Sequence, residues 1–288
     1  MTRISYLGPA GTFTEAALLA LTSAGQVPGA DHRPVPAEST PAALDAVRTG
    51  AADYACVPIE NSIEGGVTPT LDGLAAGSPL QVFAETTLHV AFSIVVAPGR
   101  AEADIRTVAA HPVAGAQVRR WLAEHLPGAR TVPANSNAAA AQQVSDGLVD
   151  AGVSTALAAE QRGLATLAAG VIDEPNARTR FVLVGTPAPP PARTGADRTS
   201  VVLRLDNAPG ALAAALTEFG SRGIDLTRIE SRPTRTELGT YLFFLDCVGH
   251  IDDGTVADAL QALRQGCADV RYLGSWPVGQ DGRQGVAR

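Results

Sequence analysis

Residues 187–197, PAPPPARTGAD, restrict the possible folds more than any other stretch of the chain. Proline has no amide hydrogen to donate and a fixed φ, so four of them here break any continuous helix or interior strand and predict a stiff, extended linker. The linker separates a part of about 185 residues from one of about 80. Two domains are the expectation for 288 residues in any case, since single cores stop growing at roughly 250–300 residues.

Upstream, apolar strand-like runs alternate with alanine-rich helical patterns: RISYLG then TEAALLAL, ADYACVPI, RTVAAH then AGAQVRRWLAEHL, RTVPA then NAAAAQQVSDG, DAGVS then ALAAEQRG. The alternation predicts an α/β domain with largely parallel sheets. Two longer runs, LHVAFSIVVA (88–97) and RFVLVG (180–185), interrupt the rhythm. They read as crossings between two lobes, lobe 1 formed by residues 1–83 plus 178–186 and lobe 2 by 84–177, with a small-molecule site in the cleft between them. Downstream, over 198–278, the order strand, helix, strand, strand, helix, strand predicts a ferredoxin-like βαββαβ unit. Its helices carry Leu212, Ala215, Leu216 and Phe219 on one face and Val256, Ala259, Leu260 and Leu263 on the other's. The glycine- and charge-rich tail, 279–288, is expected to be disordered.

The chain contains no lysine: all 22 basic residues are arginine. Schiff-base chemistry, pyridoxal phosphate attachment and the Walker A phosphate loop all need a lysine amine, and all three are excluded. Arginine forks remain, suited to carboxylate ligands. Three scattered cysteines without a C-x-x-C, and five histidines without ligand spacing, give no indication of a disulfide framework or a metal site. A net charge of −7 argues against general nucleic-acid binding. No apolar run approaches the roughly 18 residues of a membrane span, and the N-terminal residues lack a secretory pattern, so a cytoplasmic location is expected.

Five stretches carry candidate chemistry. YLGPAGTFTEAA (6–17) is a strand, a glycine turn and a helix start capped by Thr12 or Thr14, where free N–H groups can hold an anion. VPIENSIEGGV (57–67) sets Glu60, Asn61 and Ser62 directly after a buried strand, the end of an open α/β sheet that binds ligands. HPVAGAQ (111–117) and NSNAAAAQQ (135–143) each open a helix, the second capped by Ser136 or Asn137; capping alone could explain both, and given the cleft both helix starts face into it and can serve a second carboxylate. ARTRF (177–181) holds Thr179 between two arginines at the second crossing, although a surface threonine between solvated arginines is a common arrangement. In the small domain, PGAL (209–212) and ESRP (230–233) mark a helix start and a strand end, and together suggest a ligand loop at a domain interface.

With these residues in their order, the chain resembles the prephenate dehydratase family over essentially its full length: GPAGTFTEAA, VPIENSIEGGV, HPVAGAQ, NSNAAAAQ and TRF, followed by the GAL and ESRP pair of a phenylalanine-sensing ACT domain. The resemblance implies a catalytic domain over 1–186 with a two-lobed, type II periplasmic-binding-protein-like fold, and an ACT domain after the linker. It implies decarboxylating dehydration of prephenate to phenylpyruvate without a cofactor or metal, feedback inhibition by L-phenylalanine, and a homodimer or homotetramer. Carried onto this chain, it implies Thr179 as the essential hydroxyl, with Thr12, Glu60, Asn61, Ser62, Ser136, Asn137, Arg180 and Phe181 at the substrate. Arg180 is expected to fix a carboxylate, and Glu60 is a candidate proton source by proximity of motif. Asn207, Gly210, Ala211, Leu212, Glu230, Ser231, Arg232 and Pro233 would form the effector site. The helix bundle of chorismate mutase that precedes some relatives is missing here, which points to a monofunctional enzyme. An arogenate dehydratase would share every motif, and a non-catalytic small-molecule-binding regulator would share the cleft.

Overall fold

The computed structural model describes residues 1–279 and 281–282. The chain runs β1 (Thr2–Leu7), α1 (Phe13–Ser23), β2 (His32–Ala37), α2 (Thr40–Arg48), β3 (Tyr54–Asn61), the two-residue β4 (Gly65–Gly66), α3 (Thr68–Ala75) and β5 (Gln81–His89) in the first lobe. The second lobe holds β6 (Phe92–Val96), β7 (Thr107–Ala110), α4 (Pro112–Gln117), α5 (Arg119–His125), β8 (Arg130–Pro133), α6 (Asn137–Ser145), β9 (Ala151–Ser154), α7 (Ala156–Gln161) and β10 (Ala165–Val171). The chain returns to the first lobe in β11 (Arg178–Gly185). After the linker come β12 (Asp197–Arg204), α8 (Ala211–Gly220), β13 (Leu226–Pro233), β14 (Tyr241–Val248), α9 (Gly254–Gly266), β15 (Asp269–Pro277) and a short β16 (Asp281–Gly282).

The first sheet has the order β16-β5-β11-β3-β1-β2, with β4 on β3; the second is β10-β6-β9-β7-β8; the third is β13-β14-β12-β15. Strand β11 is antiparallel to both neighbours and fills the centre of the first sheet, so the sheet is mixed rather than largely parallel. The first crossing comes at Val90–Ala91, later than residue 84, because β5 stays in the first sheet to His89. Two strands escape sequence reading, β2 (HRPVPA), which has no apolar run, and β10 (ATLAAGV), and the helical pattern after His111 breaks in two at Val118. Of the tail expected to be disordered, Gly279 donates its N–H to Glu85 Oε1 and residues 281–282 pair with β5; residues 280 and 283–288 lie outside the described residues.

Period-two alternation along β11 decides what the fold places where. Phe181 and Leu183 join Ile4, Tyr6, Leu18 and Cys56 in a core under α1. Val182 and Val184 point to the opposite face, into a core shared by α2, α3 and the third sheet, which contributes Val202, Phe244, Leu273 and Trp276. The third sheet is therefore covered on both faces, by α8 and α9 on one side and by lobe 1 on the other. Burying a side chain such as Phe244 or Trp276 contributes roughly 1.5–3 kcal/mol, so the docking is a continuous hydrophobic core and not a loose tether. Gly274, at φ +132°, allows the closest approach: any Cβ there would collide with the carbonyl oxygen of Val82 on β5. No helix among the described residues is long and apolar enough to cross a membrane.

Candidate active site

Thr179 lies near the start of β11, 8% exposed, on the wall of a cavity of about 210 Å³ between the lobes. Lobe 1 supplies Phe13, Asn61, Glu64 and Thr179 to the wall, and lobe 2 supplies Phe92, His111, Gln117 and Asn137 among others. Glu64, Val113 and Gln117 also line a wider vestibule of about 730 Å³, where Arg119 and Arg120 bring positive charge beside Asp173 and Glu174.

A β-bulge builds the polar centre of the cavity. Along the β3–β11 ladder Phe181 pairs with Pro58 and Arg180 with Glu60, leaving Ile59 as the extra residue. The shift re-aims the last two residues of β3, which belong to the strand rather than to a loop after it. Asn61 thereby stands opposite Thr179 and donates from Nδ2 to its Oγ1 at 3.0 Å. The orientation of the Asn61 amide is fixed by its other end, because Oδ1 accepts the N–H groups of Ile63 (2.9 Å) and Glu64 (3.0 Å). With Asn61 donating, the Thr179 oxygen is an acceptor there and its own proton is left to point elsewhere.

Helix starts surround this pair. Thr12 caps α1, accepting from Glu15 N and donating to Leu7 O; Ser136 caps α6, accepting from Ala139 N. Both hydroxyls are thus engaged in capping, and neither lines the cavity. Asn137 does, and its Oδ1, like Oε1 of Gln117, is buried without a hydrogen-bond partner. Ser62 Oγ ties the end of β3 to the segment entering β11, donating to Asn176 O and accepting from Arg178 N. Phe181 is core beneath α1, not cavity wall.

The expectations for Arg180 and Glu60 fail against this geometry. Alternation turns Arg180 to the face opposite Thr179, toward the C-terminal domain, where its guanidinium meets Glu60 (2.8 Å), Glu85 (3.1 Å) and Asp246 (2.7 Å). Arg180 is 7% exposed and already saturated by carboxylates, so it is not placed to fix a substrate carboxylate, and Glu60 is bound to it on the far side from the cavity. Burial opposes the charge on Arg180, but Asp246, Glu85 and Glu60 outweigh it and hold its pKa above the ordinary value. The sequence contained the signal: adjacent residues of a strand face opposite ways.

The lobes touch beside the cavity. Thr155 Oγ1 donates to Gly11 O at 2.6 Å and Gln161 Nε2 to Glu15 Oε2 at 3.0 Å, while the same carboxylate oxygen accepts Gly11 N. Burial first, and Glu15 second, push the Tyr6 phenol up to about 12, keeping it neutral beneath α1.

In the C-terminal domain, Asn207, Ala211 and Leu212 share a cavity of about 150 Å³ with Thr240, Tyr241 and Phe243. Gly210 sits at the α8 start with φ +81°. The other half of the expected effector site is elsewhere, on edge strand β13: the Glu230 carboxylate lies against Gly66, and Arg232 pairs with Asp72 at 3.3 Å. Among the described residues no group of three or more His, Cys, Asp or Glu side chains is arranged to hold a metal ion.

The sequence profile of the prephenate dehydratase family matches residues 4–189, and that of the ACT domain residues 199–265. A prephenate dehydratase of Mycobacterium leprae (strain Br4923) is 75% identical over 280 residues, 96% of this chain and 87% of its own. The chain belongs to the prephenate dehydratase family. Among solved structures, prephenate dehydratase from Arthrobacter aurescens in complex with L-Phe matches with a TM-score of 0.87 at 46% identity, over 99% of this chain and 94% of that one. GqqA, described as a novel type of quorum-quenching acylase, matches with a TM-score of 0.83 at 31% identity, over 96% and 98%. Sequence reading of the family motifs missed Phe13, Glu64, Phe92, His111 and Gln117 as cavity residues, although HPVAGAQ contains two of them.

Proposed function

We propose that this protein converts prephenate to phenylpyruvate in the cavity around Thr179, and that its ACT domain binds L-phenylalanine as an allosteric inhibitor. The observation that carries the reaction is the Asn61 to Thr179 hydrogen bond, because it leaves the threonine proton free to meet a departing oxygen. In the reaction the bond from the ring to the quaternary carboxylate breaks, carbon dioxide leaves, and its electron pair becomes part of the aromatic ring. The ring C–O bond breaks at the opposite carbon, and hydroxide leaves with one proton as water. Thr179 stabilises the charge on that oxygen by donating a hydrogen bond, an interaction made mainly in the transition state.

A threonine hydroxyl is too weak an acid to give up the proton itself. Glu64 and His111 are the titratable side chains on the cavity wall, and we assign the proton's source to this pair. Among the described residues no arginine lines the cavity, so recognition of the carboxylates falls to the side-chain NH2 groups of Asn137 and Gln117 and to the N–H groups at the start of α6.

For the effector, the cavity at Asn207 and Leu212 supplies one half of a site, and Glu230–Pro233 of a second copy would supply the other. The free edge of β13, with Ile229 half exposed, suits pairing into a homodimer, which can pair again into a homotetramer. A cytoplasmic location fits the free thiols. Turnover of purified protein on prephenate and on arogenate, read as phenylpyruvate absorbance and as phenylalanine released, tests the substrate. Faster turnover of arogenate would overturn this reading.

A further inference from the structure

Behind the Thr179 strand, where the two domains meet, lies a cluster of six charged side chains that the proposed chemistry does not use. Asp246 of β14, 1% exposed, is held by Arg180 at 2.7 Å, by Arg228 Nε at 2.9 Å and by Ser200 Oγ at 2.7 Å. Glu85 of β5 takes Arg180 and Arg198, each at 3.1 Å, and the indole N–H of Trp276 at 3.0 Å. Three arginines balance three carboxylates, with Arg180, Glu60 and Glu85 from lobe 1 and Arg198, Arg228 and Asp246 from the ACT sheet. The buried pairs of Arg180 with Asp246 and Glu85 form in one relative placement of the two sheets, in which Arg198 Nε and Arg228 Nη1 still lack a hydrogen bond, and displacing either sheet leaves more buried charge unpaired. The cluster is one residue from the active centre on each strand: Arg180 adjoins Thr179, and Glu60 adjoins Asn61. A second contact converges on the same place, since Glu230 lies against Gly66, the ladder partner of Glu60.

We propose that the Arg180–Asp246 pair ties the position of Thr179 to the placement of the ACT domain, Arg180 acting as a positioning residue and Asp246 as the effector-side anchor. This rests on the reaction and the effector proposed above. A displacement of about 1 Å at a reacting group can cost about 10²-fold in rate, so a small shift of the ACT sheet is enough to switch turnover. Spatial continuity alone does not demonstrate coupling, and the test therefore reads both ends.

Trp276, inside the cluster, is a reporter, and Trp121 on α5 is the second tryptophan of the chain. In full-length Trp121→Phe protein, phenylalanine is expected to shift the Trp276 emission and to lower prephenate turnover together. Adding Asp246→Asn is expected to leave the phenylalanine Kd by calorimetry within about threefold, to abolish the emission shift and to weaken inhibition at least tenfold. Cooperatively melting Asp246→Asn protein that remains inhibited like its parent overturns the proposal. So does a parent that is inhibited by phenylalanine without any change at Trp276, or one that does not bind phenylalanine. If Asp246→Asn does not fold, Arg180→Lys, which keeps the charge but loses the fork that reaches Asp246, takes its place: inhibition weakened at least tenfold with phenylalanine still bound supports the tie, and unchanged inhibition overturns it. A parent that turns over no prephenate, yet shifts Trp276 with phenylalanine only while Asp246 is intact, refutes the proposed reaction and leaves the tie standing.

Discussion

Replacing Thr179 by valine removes one hydroxyl and keeps the shape of the side chain. In the folded protein the loss leaves Asn61 Nδ2 without its 3.0 Å acceptor, while Asn61 Oδ1 keeps both backbone donors. The amide borders a cavity that water can enter, so the stability cost is about 1 kcal/mol, that of an ordinary hydrogen bond. The catalytic cost is larger. Thr179 is 8% exposed, and a preorganised donor aimed at developing oxyanion charge in such a site is worth about 3–4 kcal/mol. At about 1.36 kcal/mol per decade, kcat should fall roughly 10²- to 10³-fold, with KM changed less than about threefold, because the ground state gains little from the bond. Thr179→Ala should fall at least about a hundredfold in the same way, and Thr179→Ser, which keeps the hydroxyl, should retain most of the rate. The assay is steady-state formation of phenylpyruvate from prephenate, with a thermal melt of each variant to show that folding is intact. Valine protein with kcat within tenfold of wild type, or with only KM raised, would refute the reasoning.

Asn61→Asp converts the donor facing Thr179 into an acceptor, so the threonine proton turns inward; kcat should fall more than tenfold at pH 7 and recover in part in Asn61→Gln only if the longer amide still reaches Oγ1. Gly11→Ala places a Cβ at φ +87° and 2.8 Å from the Ala158 Cβ, so the lobes can no longer close through Thr155; kcat/KM should drop at least tenfold and small-angle scattering should show a wider particle. Asn207→Ala should raise the phenylalanine Kd at least tenfold by calorimetry while uninhibited turnover stays within twofold. Burial alone would raise the Asp246 carboxyl, but Arg228 and Arg180 outweigh it and hold it well below the usual carboxylate range. A depressed folded pKa gives stability that is present above the unfolded value of about 3.9 and lost as pH falls toward the folded one. Urea midpoints should therefore owe no slope to this group between pH 5 and 8, and between pH 4 and 2.5 wild type should lose more stability than Asp246→Asn.

What the sequence determined by itself was whatever follows from local periodicity and composition. The proline linker, the βαββαβ order after it, the capped starts of α1 and α6, and the absence of lysine chemistry were all legible, because each depends on neighbouring residues or on a residue type being missing. The motif order also marked Thr179 and Asn61. Tertiary structure decided which side chains meet. Only the bulge at Ile59 places Asn61, rather than Glu60, opposite Thr179, and a one-residue shift of register is invisible to pattern reading. Only the docking of the ACT sheet on β5 and β11 gives Arg180 its third carboxylate partner, Asp246, 66 residues away on another domain. Short strands such as β2 and β10 form because a neighbouring strand offers them an edge, and His111, Gln117 and Phe92 become cavity wall because two lobes close on each other. Long-range pairing sets these contacts, and nothing in the immediate sequence of either partner specifies it.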